Sequence, residues 1–400
     1  MSAPFSAAQP SLGGHALPAH IVSGSQTTRN RRRTAGLLFG TVGALVAAGI
    51  LGALQLSANL GYDDARAEFD VAVDSAQDTM SEVALSADEL VATSDTATLL
   101  LDRDSGILAD PVAKDVLVSS VAEAADAAAS ADQALEAELP VAGAKPTFFW
   151  ELFGVADDLH LEIERLEDLD AELRDETPAL VTAETAMTDA GLAFVGSAAT
   201  AATSFEAAHL SARNDDVIAL RDAASTAAGA SALDDTVVTG FVALQDAAAQ
   251  VSASQEAELA EKAGPLQGVR LEIEAFARSL APGVLLEFDW NRIVNGAGEN
   301  GSMGGLTTWW WDEPDRAVIE LSNSVAEQWP ADRSKALVAH EVGHAISVKC
   351  EEMYDSSTQD SIEKWATAWA IGMGFTDDAN GVWAYGYPPQ SYIDASYGCR

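Results

Sequence analysis

The sequence is short of cysteine and of basic residues, and each shortage excludes a class of protein. Two cysteines in 400 residues exclude a disulfide-rich scaffold and a four-cysteine zinc site, but they are enough for one disulfide. Lys and Arg number 22 against 62 Asp and Glu, which gives a formal net charge of −40. Because nucleic-acid binding needs basic surface to neutralise phosphates, we expect no nucleic-acid partner. A hydrophobic content of 48% also argues against a disordered acidic chain.

Acidic residues are absent from residues 1–34, which contain four arginines close to their end. An uncharged apolar run follows over residues 35–54, and about twenty apolar residues in a helix span a bilayer. The positive-inside rule then keeps the N-terminus in the cytoplasm and places the chain from residue 60 onward outside. We therefore predict a cytoplasmic disordered tail over 1–34 and a single-pass transmembrane helix over 35–57 in the cell membrane. A cleaved signal peptide is the alternative.

Small residues lie four apart along this predicted membrane helix, at Gly36, Gly40, Ala44, Ala48 and Gly52. Such a stripe lets two helices approach closely, so it is consistent with a homodimer formed through the membrane helix and the segment after it. An Ala- and Gly-rich helix would also contain such a stripe by chance. The sequence leaves both interpretations open.

Trp and Tyr are nearly absent from residues 62–280, which are rich in Ala, Asp, Glu, Leu and Val instead. Apolar residues recur at spacings of four and three from Phe69 to Leu101 and from Leu152 to Leu173, which is typical of heptads in packed helices. Turn signals occur at residues 104–106, 110–111, 140–146, 177–178, 214 and 264–265. We predict an elongated antiparallel helical bundle or coiled coil over residues 60–282, forming an extracytoplasmic stalk.

Aromatic residues are concentrated after residue 284, with eight of nine Trp, five of six Tyr and both Cys. Residues 284–400 are therefore predicted to form a separate small α+β domain. Apolar and turn patterns predict a strand at 284–290, a Gly-rich loop at 295–305, a hairpin from 306–311 to 317–321, and helices at 331–349 and 360–373. The predicted fold class is thus mostly α, with a small α+β domain at the end.

The strongest chemical signal is His340-Glu341-Val342-Gly343-His344, an H-E-x-x-H motif within the first of these helices. Residues four apart share a helix face, so both imidazoles can reach one metal ion. Glu341 lies beside them, where it can take a proton from a metal-bound water. The alternative is a coincidental histidine pair on a surface helix.

Over residues 284–400 the sequence resembles the zincin metallopeptidases, most specifically over residues 336–374. The resemblance implies a helix under a small sheet whose edge strand binds extended peptide, with residues 317–321 as the candidate strand. It also implies one zinc ion per chain, which His340, His344 and a third residue bind. Within the gluzincin group a glutamate of the next helix is that third ligand, and Glu363 stands in its place.

Two features of the sequence leave the zinc site open to alternatives. Many gluzincins place an Asp three or four residues after the ligand Glu to orient a histidine, whereas this chain has Ala366 and Thr367 there. The metzincin pattern would instead put its third ligand at Cys350. A thiolate there could bind zinc, but outside the cytoplasm a disulfide between Cys350 and Cys399 is favoured.

These features together predict a membrane-anchored zinc metallopeptidase of a bacterial cell envelope, with Glu341 as general base. Its substrates would be peptides or proteins outside the membrane. Peptide hydrolysis needs a donor for the oxyanion, and zincins often use tyrosine, which makes Tyr385, Tyr387 and Tyr392 candidates. The alternative function is a structural or scaffolding envelope protein with an inactive zincin-like domain. The missing orienting Asp and the long stalk favour that alternative.

Overall fold

The computed structural model describes residues 35–400, with side chains from residue 44 onward. The predicted tail over residues 1–34 therefore lies outside the described residues. Within them the chain is mostly α-helical, with one three-stranded sheet, as predicted. The described residues divide into two compact units, 35–71 with Val141–Glu164, and Ala72–Pro140 with Arg165–Arg400.

Within residues 35–400, six α-helices precede the sheet and five follow it. The first six are α1 (Ala35–Arg103), α2 (Pro111–Leu135), α3 (Phe149–Ala208), α4 (Asn214–Ala228), α5 (Asp235–Glu261) and α6 (Gln267–Leu280). The later ones are α7 (Asn323–Gln328), α8 (Asp332–Ser347), α9 (Gln359–Gly372), α10 (Val382–Tyr385) and α11 (Gln390–Ser396), with short 3-10 segments at Val348–Met353 and Asp378–Asn380. The predicted helices at 331–349 and 360–373 correspond to α8 and α9.

Helix α1 continues without interruption from the apolar run into the predicted stalk, over 69 residues. It contains no proline, so nothing in the backbone marks the predicted change from membrane helix to stalk near residues 57–60. Among the described residues, α1 is the one helix whose length and apolar composition are sufficient to cross a membrane.

Most predicted turn signals coincide with helix ends, but the one at Thr177-Pro178 does not. Asp110 caps α2 by accepting a hydrogen bond from the Val112 backbone N–H, and Pro111 occupies the first helical position. Pro178, by contrast, lies inside the 60 residues of α3, so the predicted break there is wrong. Leu173 and Leu180 on either side of it are fully buried, and this packing holds the helix together across the missing hydrogen bond.

Every seventh residue is buried along three of these helices. The buried positions are Tyr62, Phe69, Ala76, Val83, Leu90 and Ala97 in α1, Leu117, Ala124 and Ala131 in α2, and Leu152, Leu159, Leu166, Leu173, Leu180, Met187 and Phe194 in α3. The apolar periodicity predicted for residues 69–101 and 152–173 therefore corresponds to the buried faces of α1 and α3.

The sheet consists of β1 (Leu285–Asn291), β2 (Gly305–Trp310) and β3 (Glu313–Ser322) in the order β1-β3-β2. β2 and β3 form the predicted antiparallel hairpin, while β1 runs parallel to β3. The prediction that residues 317–321 form the substrate strand is wrong, because β3 is the central strand and its backbone bonds to a neighbour on each side. The sheet edges belong to β1 and β2, and the edge strand β2 contacts α8 through Thr307 and Glu341.

The C-terminal core joins the inner face of the sheet to α8 and α9. It contains Ala317, Ile319 and Leu321 of β3, Val338, Val342, Ala345 and Ile346 of α8, and Trp365 and Trp369 of α9. Ile273, Ala277 and Ala281, in and directly after α6, belong to the same core. The packed unit around the site therefore includes α6, which precedes the predicted domain start at residue 284.

A buried group of charged residues, here named the α5–α6 ion cluster, lies where α5 and α6 meet. Lys262 is only 3% exposed and pairs with Glu258 at 3.5 Å and with Glu274 at 3.3 Å. Arg213 adds a 2.8 Å pair to Glu258, and Arg278 adds a 3.4 Å pair to Glu274. Both buried glutamates thus have cations supplied by the chain itself.

Candidate metal centre and active site

Helices α8 and α9 bring together three side chains that could hold a metal ion. His340 and His344 are both buried, and their Nε2 atoms lie 3.2 Å apart. Glu363 of α9 places its Oε2 atom 3.2 Å from Nε2 of His340 and 3.1 Å from Nε2 of His344. The three atoms therefore form a nearly equilateral triangle, and they are the one His/Cys/Asp/Glu group within the described residues whose spacing suits a metal ion.

This triangle fits one tetrahedral ion. Ligands about 2.0–2.1 Å from a zinc ion are about 3.3–3.4 Å apart in tetrahedral geometry, close to the separations found here. Two imidazoles and one carboxylate are also a donor set that catalytic zinc sites use. Both imidazole nitrogens face the same carboxylate oxygen, so one shared cation satisfies all three donors.

Gly343, inside the motif, allows α8 and α9 to approach closely enough for this triangle. A Cβ atom at position 343 would lie 2.8 Å from the Ala366 carbonyl oxygen and 3.0 Å from the Ala366 Cα. Those distances are shorter than van der Waals contact, so only glycine fits without moving α9. The position therefore has a packing role that the motif alone does not reveal.

Thr367 contacts the outer nitrogen of His340. Its Oγ1 lies 3.4 Å from His340 Nδ1 and donates a 2.8 Å hydrogen bond to the Glu363 carbonyl oxygen. Because the Thr367 hydroxyl proton is already donated to Glu363, the Thr367 oxygen can only accept a hydrogen bond from His340. That requires the His340 proton to be on Nδ1, so Nε2 has a free lone pair for a metal. Gly381, with φ of 106°, closes this pocket, because a Cβ atom there would lie 2.7 Å from Nδ1.

His344 is held in a different way. Its Nδ1 atom is buried and has no hydrogen-bond partner among the described residues. The indole of Trp309 on β2 stacks on the imidazole, with ring centroids 5.3 Å apart and planes within 7°. Stacking therefore fixes the plane of this ring, while its tautomer has no fixed partner.

Glu341 lies beside the triangle, and the edge strand β2 holds its carboxylate. Thr307 Oγ1 lies 2.7 Å from Glu341 Oε2 and 3.0 Å from the Glu341 carbonyl oxygen. Gly305 leaves room for the carboxylate, since a Cβ atom there would lie 2.6 Å from its Cδ. Burial raises the pKa of Glu341, whereas the nearby His340 and the Thr307 hydrogen bond oppose that rise.

Glu363 is ionised more readily than an ordinary glutamate. Burial opposes its ionisation, but the contacts with His340 and His344 outweigh that effect and hold its pKa well below the usual range. Gln359 donates a 2.8 Å hydrogen bond to Oε1, which orients the carboxylate and leaves Oε2 facing the histidines. The third predicted ligand is thus a carboxylate fixed in its ligating orientation.

Of the three candidate oxyanion donors, the structure brings Tyr385 to the site. Its ring stacks on His340 with centroids 5.9 Å apart, and burial, together with the charges of Glu363 and Glu341, raises its pKa to about 12. Tyr387 is exposed. The hydroxyl of Tyr392 lies 2.7 Å from Ser361 Oγ and accepts a hydrogen bond from the Asp355 N–H, so it is engaged elsewhere.

A cavity of about 560 Å³ opens beside His340 and Glu341. The Gly-rich loop at residues 295–305, the first turns of α8 and residues 377–385 line it. Arg333 provides a positive charge and Trp383 an exposed aromatic ring to this lining. Its volume lies in the range of small-molecule and side-chain binding sites.

Cys350 and Cys399 form a disulfide, with their Cα atoms 5.8 Å apart. Cys350 follows α8 in the 3-10 segment Val348–Met353, and the disulfide joins that segment to the chain after α11. Trp369 of α9 donates a 3.0 Å hydrogen bond to the Cys399 carbonyl oxygen, so the chain after α11 is attached to α9 as well. The metal-binding triangle does not include Cys350.

Sequence reasoning did not assign Thr307, Gly305, Trp309 or Gly381 to the site. All four contact motif residues from distant parts of the chain, and no local pattern marks them. Comparison with known proteins adds no relative, because no protein-family model, no curated protein and no solved structure matches this chain.

Proposed function

We propose that this protein is a membrane-anchored zinc metallopeptidase of the zincin type, with a gluzincin-like ligand set of His340, His344 and Glu363. The observation that carries the proposal is the triangle of their donor atoms, 3.1–3.2 Å on each side, with the Glu341 carboxylate beside it. A buried histidine pair without function would not need a third metal-ligating atom at the same distance, as Glu363 provides. It would also not need a second carboxylate, that of Glu341, fixed beside it by a hydrogen bond.

The rest of the chain supports an arrangement outside the cytoplasmic membrane. Helix α1 has the length and apolar composition of a membrane anchor. Burial at every seventh residue in α1, α2 and α3 supports a coiled-coil stalk, because such a repeat keeps one seam of each helix against its neighbours. The Cys350–Cys399 disulfide agrees with an oxidising compartment.

Each side chain at the site has a separate role in the proposed hydrolysis. Zinc, when bound, would supply a Lewis acid that polarises the scissile carbonyl and makes a water more acidic. Glu341 accepts the proton of the attacking water and passes it to the leaving amine, as a general base and then a general acid. Tyr385 remains protonated at neutral pH because its pKa is about 12, so its hydroxyl can donate to the developing oxyanion.

Substrate binding is assigned to β2 and to the cavity beside it. β2 is an edge strand, and an extended peptide can add to such an edge through main-chain hydrogen bonds. The cavity adjoins β2 at Gly305 and reaches His340 and Glu341, so a substrate side chain can enter it while the peptide bond lies at the metal centre.

A scaffolding function with an inactive site is the second candidate. The Nδ1 atom of His344, which has no hydrogen-bond partner within residues 44–400, favours it, because metal-binding histidines usually donate their other ring N–H to an acceptor. The 3.4 Å contact between Thr367 and His340 is also longer than a good hydrogen bond. Metal binding distinguishes the two functions.

The first test is the zinc content of the full chain, purified in detergent, beside Glu363→Ala and a matched Glu351→Ala variant. Glu351 is an exposed carboxylate outside the triangle. We expect about one zinc per chain in the parent and in Glu351→Ala, and loss of zinc in Glu363→Ala. Absence of zinc from the parent, even after supplementation, would make the scaffold the better assignment.

The second test concerns the general base. Glu341→Gln should reduce hydrolysis of an unstructured protein substrate by about 10²–10⁴-fold while zinc stays bound. The control is Glu352→Gln, at an exposed position two residues after Cys350, and this variant should keep full activity. Unchanged hydrolysis in Glu341→Gln would refute the catalytic assignment even if zinc is present.

A further inference from the structure

Large aromatic side chains are exposed where α3 begins. Phe148, Trp150 and Phe153 are 50%, 59% and 42% exposed, and the rings of Phe148 and Trp150 stack with centroids 4.7 Å apart. Trp150 is also the one tryptophan that precedes the C-terminal domain. We name these three residues the aromatic collar. A concentrated group of exposed apolar side chains usually marks a contact surface.

Hydrogen bonds place this collar beside one point of α1. Gln55 donates through Nε2 to the Thr147 carbonyl oxygen at 3.1 Å and accepts from the Phe149 N–H at 3.0 Å. Gln55 directly follows the uncharged apolar run at residues 35–54. The start of α3 is therefore fixed at the level where α1 leaves its apolar run, and all these residues lie within one compact unit.

The side chains change character in a consistent order along this part of α1. Leu51, Leu54, Leu56 and Leu60 are exposed apolar residues. Next to them lies the aromatic collar, with the exposed Glu151 between Trp150 and Phe153, and charges within α1 begin at Asp63, which pairs with Lys145. The Lys145 ammonium also lies 5.2 Å from the centre of the Tyr62 ring. The side chains thus change from apolar to aromatic to charged. The same order is found from the core of a bilayer through its interface to the water beyond.

We infer that the aromatic collar inserts into the headgroup region of the same bilayer that α1 crosses. The occupant of this surface is lipid, because the collar is continuous with the exposed apolar face of the membrane helix. The protein then has two membrane contacts, one through α1 and one through the start of α3. Anchoring at two points sets the tilt of α1, as interfacial aromatic residues do in other membrane helices. The inference rests on the membrane-anchor part of the proposed function and not on the metal site.

The test uses the full chain in phosphatidylcholine vesicles and a fluorophore on one added cysteine. The two native cysteines are joined in a disulfide, so an added cysteine is the one that reacts. The labelled variants are Ala48→Cys in the apolar run, Phe153→Cys in the collar and Leu161→Cys as the matched control. Leu161 is 56% exposed and lies on the same helix, about 12 Å beyond position 153.

Lipids carrying a spin label either near the headgroup or deep in the acyl chain quench the fluorophore wherever it touches them. We expect strong quenching of position 153 by the shallow label, of position 48 by the deep label, and of position 161 by neither. Introducing Phe148→Asp and Trp150→Asp beside Phe153→Cys should lower quenching at position 153 to that of position 161. Circular dichroism would verify that these variants keep the helical content of the parent.

The contradicting outcomes separate the two claims. Quenching at position 48, with position 153 no more quenched than position 161, overturns the collar inference and leaves the anchor intact. Absence of quenching at both 48 and 153 refutes the anchor itself. A blue-shifted fluorophore at position 153 without quenching by either lipid would mean that protein covers the collar, which also overturns the inference.

Discussion

Two buried clusters of charged residues in the same part of the chain differ in where their positive charge comes from. In the α5–α6 ion cluster, Glu258 and Glu274 share the buried Lys262 and each also pairs with an arginine. At the candidate metal centre, Glu341 and Glu363 are also buried. Glu363 contacts the two histidines, and no Lys or Arg within residues 44–400 pairs with either carboxylate.

This difference shows which cluster the chain completes by itself. Buried carboxylates are costly unless a cation or several hydrogen bonds compensate them. The α5–α6 ion cluster meets that need with its own lysine and arginines, so it stabilises the contact between helices. The candidate metal centre has only two imidazoles, which converge on one point with the Glu363 carboxylate, and this is the arrangement expected where a bound cation completes the charge balance.

Lys262→Met is the largest expected change, because it removes the cation that both buried glutamates share. Breaking a buried ion pair on one side usually costs about 3–5 kcal/mol, since the remaining charge stays buried. We expect a loss of that size in the free energy of unfolding, measured by denaturant titration of the full chain in detergent. The matched control is Lys364→Met, whose pair with Asp360 is solvent-exposed and should contribute about 0–1 kcal/mol.

If both lysine substitutions lower the free energy of unfolding by the same small amount, the contrast between the two clusters is wrong. The α5–α6 ion cluster would then not depend on its own cation. Zinc content per folded chain should stay unchanged in Lys262→Met. A loss of zinc there would mean instead that the two clusters are not separate units.

Thr367→Val tests whether the metal centre depends on a hydroxyl where a carboxylate was expected. Valine has nearly the same shape but cannot accept from His340 Nδ1. We expect zinc affinity to fall by about 10- to 100-fold, the usual effect of losing such a partner. Competition with a chromophoric chelator measures this affinity without any substrate.

Thr367→Ser is the matched control, since it keeps the hydroxyl and should retain most of the affinity. If valine and serine weaken zinc binding equally, packing at position 367 matters and the hydroxyl does not. The lone 3.4 Å contact would then have no role in orienting His340.

Glu287→Gln is the smallest expected change and concerns a carboxylate at the border of the α5–α6 ion cluster. Burial raises the pKa of Glu287 although the Asn214 N–H donates a 2.8 Å hydrogen bond to it. The folded state therefore holds this proton more tightly than the unfolded state, and stability falls as pH rises from the unfolded value through the folded one. At pH 7 the neutral glutamine should stabilise the fold by less than about 1 kcal/mol.

The pH dependence supplies the check on this prediction. Well below both pKa values Glu287 is protonated in either state, so parent and Glu287→Gln should unfold at the same denaturant concentration. Destabilisation by glutamine at pH 7 would show that the ionised carboxylate is favourable there, contrary to the direction of its pKa shift.

The sequence allowed much of the fold to be predicted because the decisive patterns are local. Apolar periodicity predicted the buried faces of α1 and α3, and capping and turn residues marked helix ends such as Asp110-Pro111. Pro178 was misread, because its effect depends on packing at Leu173 and Leu180 that a local pattern does not contain. The strand order also could not be read from the sequence, since a parallel β1 inserts the hairpin strand β3 into the middle of the sheet.

The same distinction holds at the candidate site. His340, Glu341 and His344 are contiguous and were recognised as a motif, and the structure brings Glu363 to them across two helices. Thr307 and Gly305 were missed because they meet Glu341 only after the strand is laid against α8. Choosing Tyr385 over Tyr387 and Tyr392 likewise required the path of the chain after α9.

The contact of Gly305 and Thr307 with Glu341 provides a way to recognise proteins of the same kind. An H-E-x-x-H motif alone does not distinguish a working centre from a degenerate one. Here an additional Gly-x-Thr on the preceding edge strand, with its Thr 34 residues before the glutamate, is needed to seat the carboxylate. Under the proposed function, sequences that keep both motifs at compatible spacing are expected to share the proposed hydrolysis, and those with a larger residue than glycine at the first position are expected to lack it.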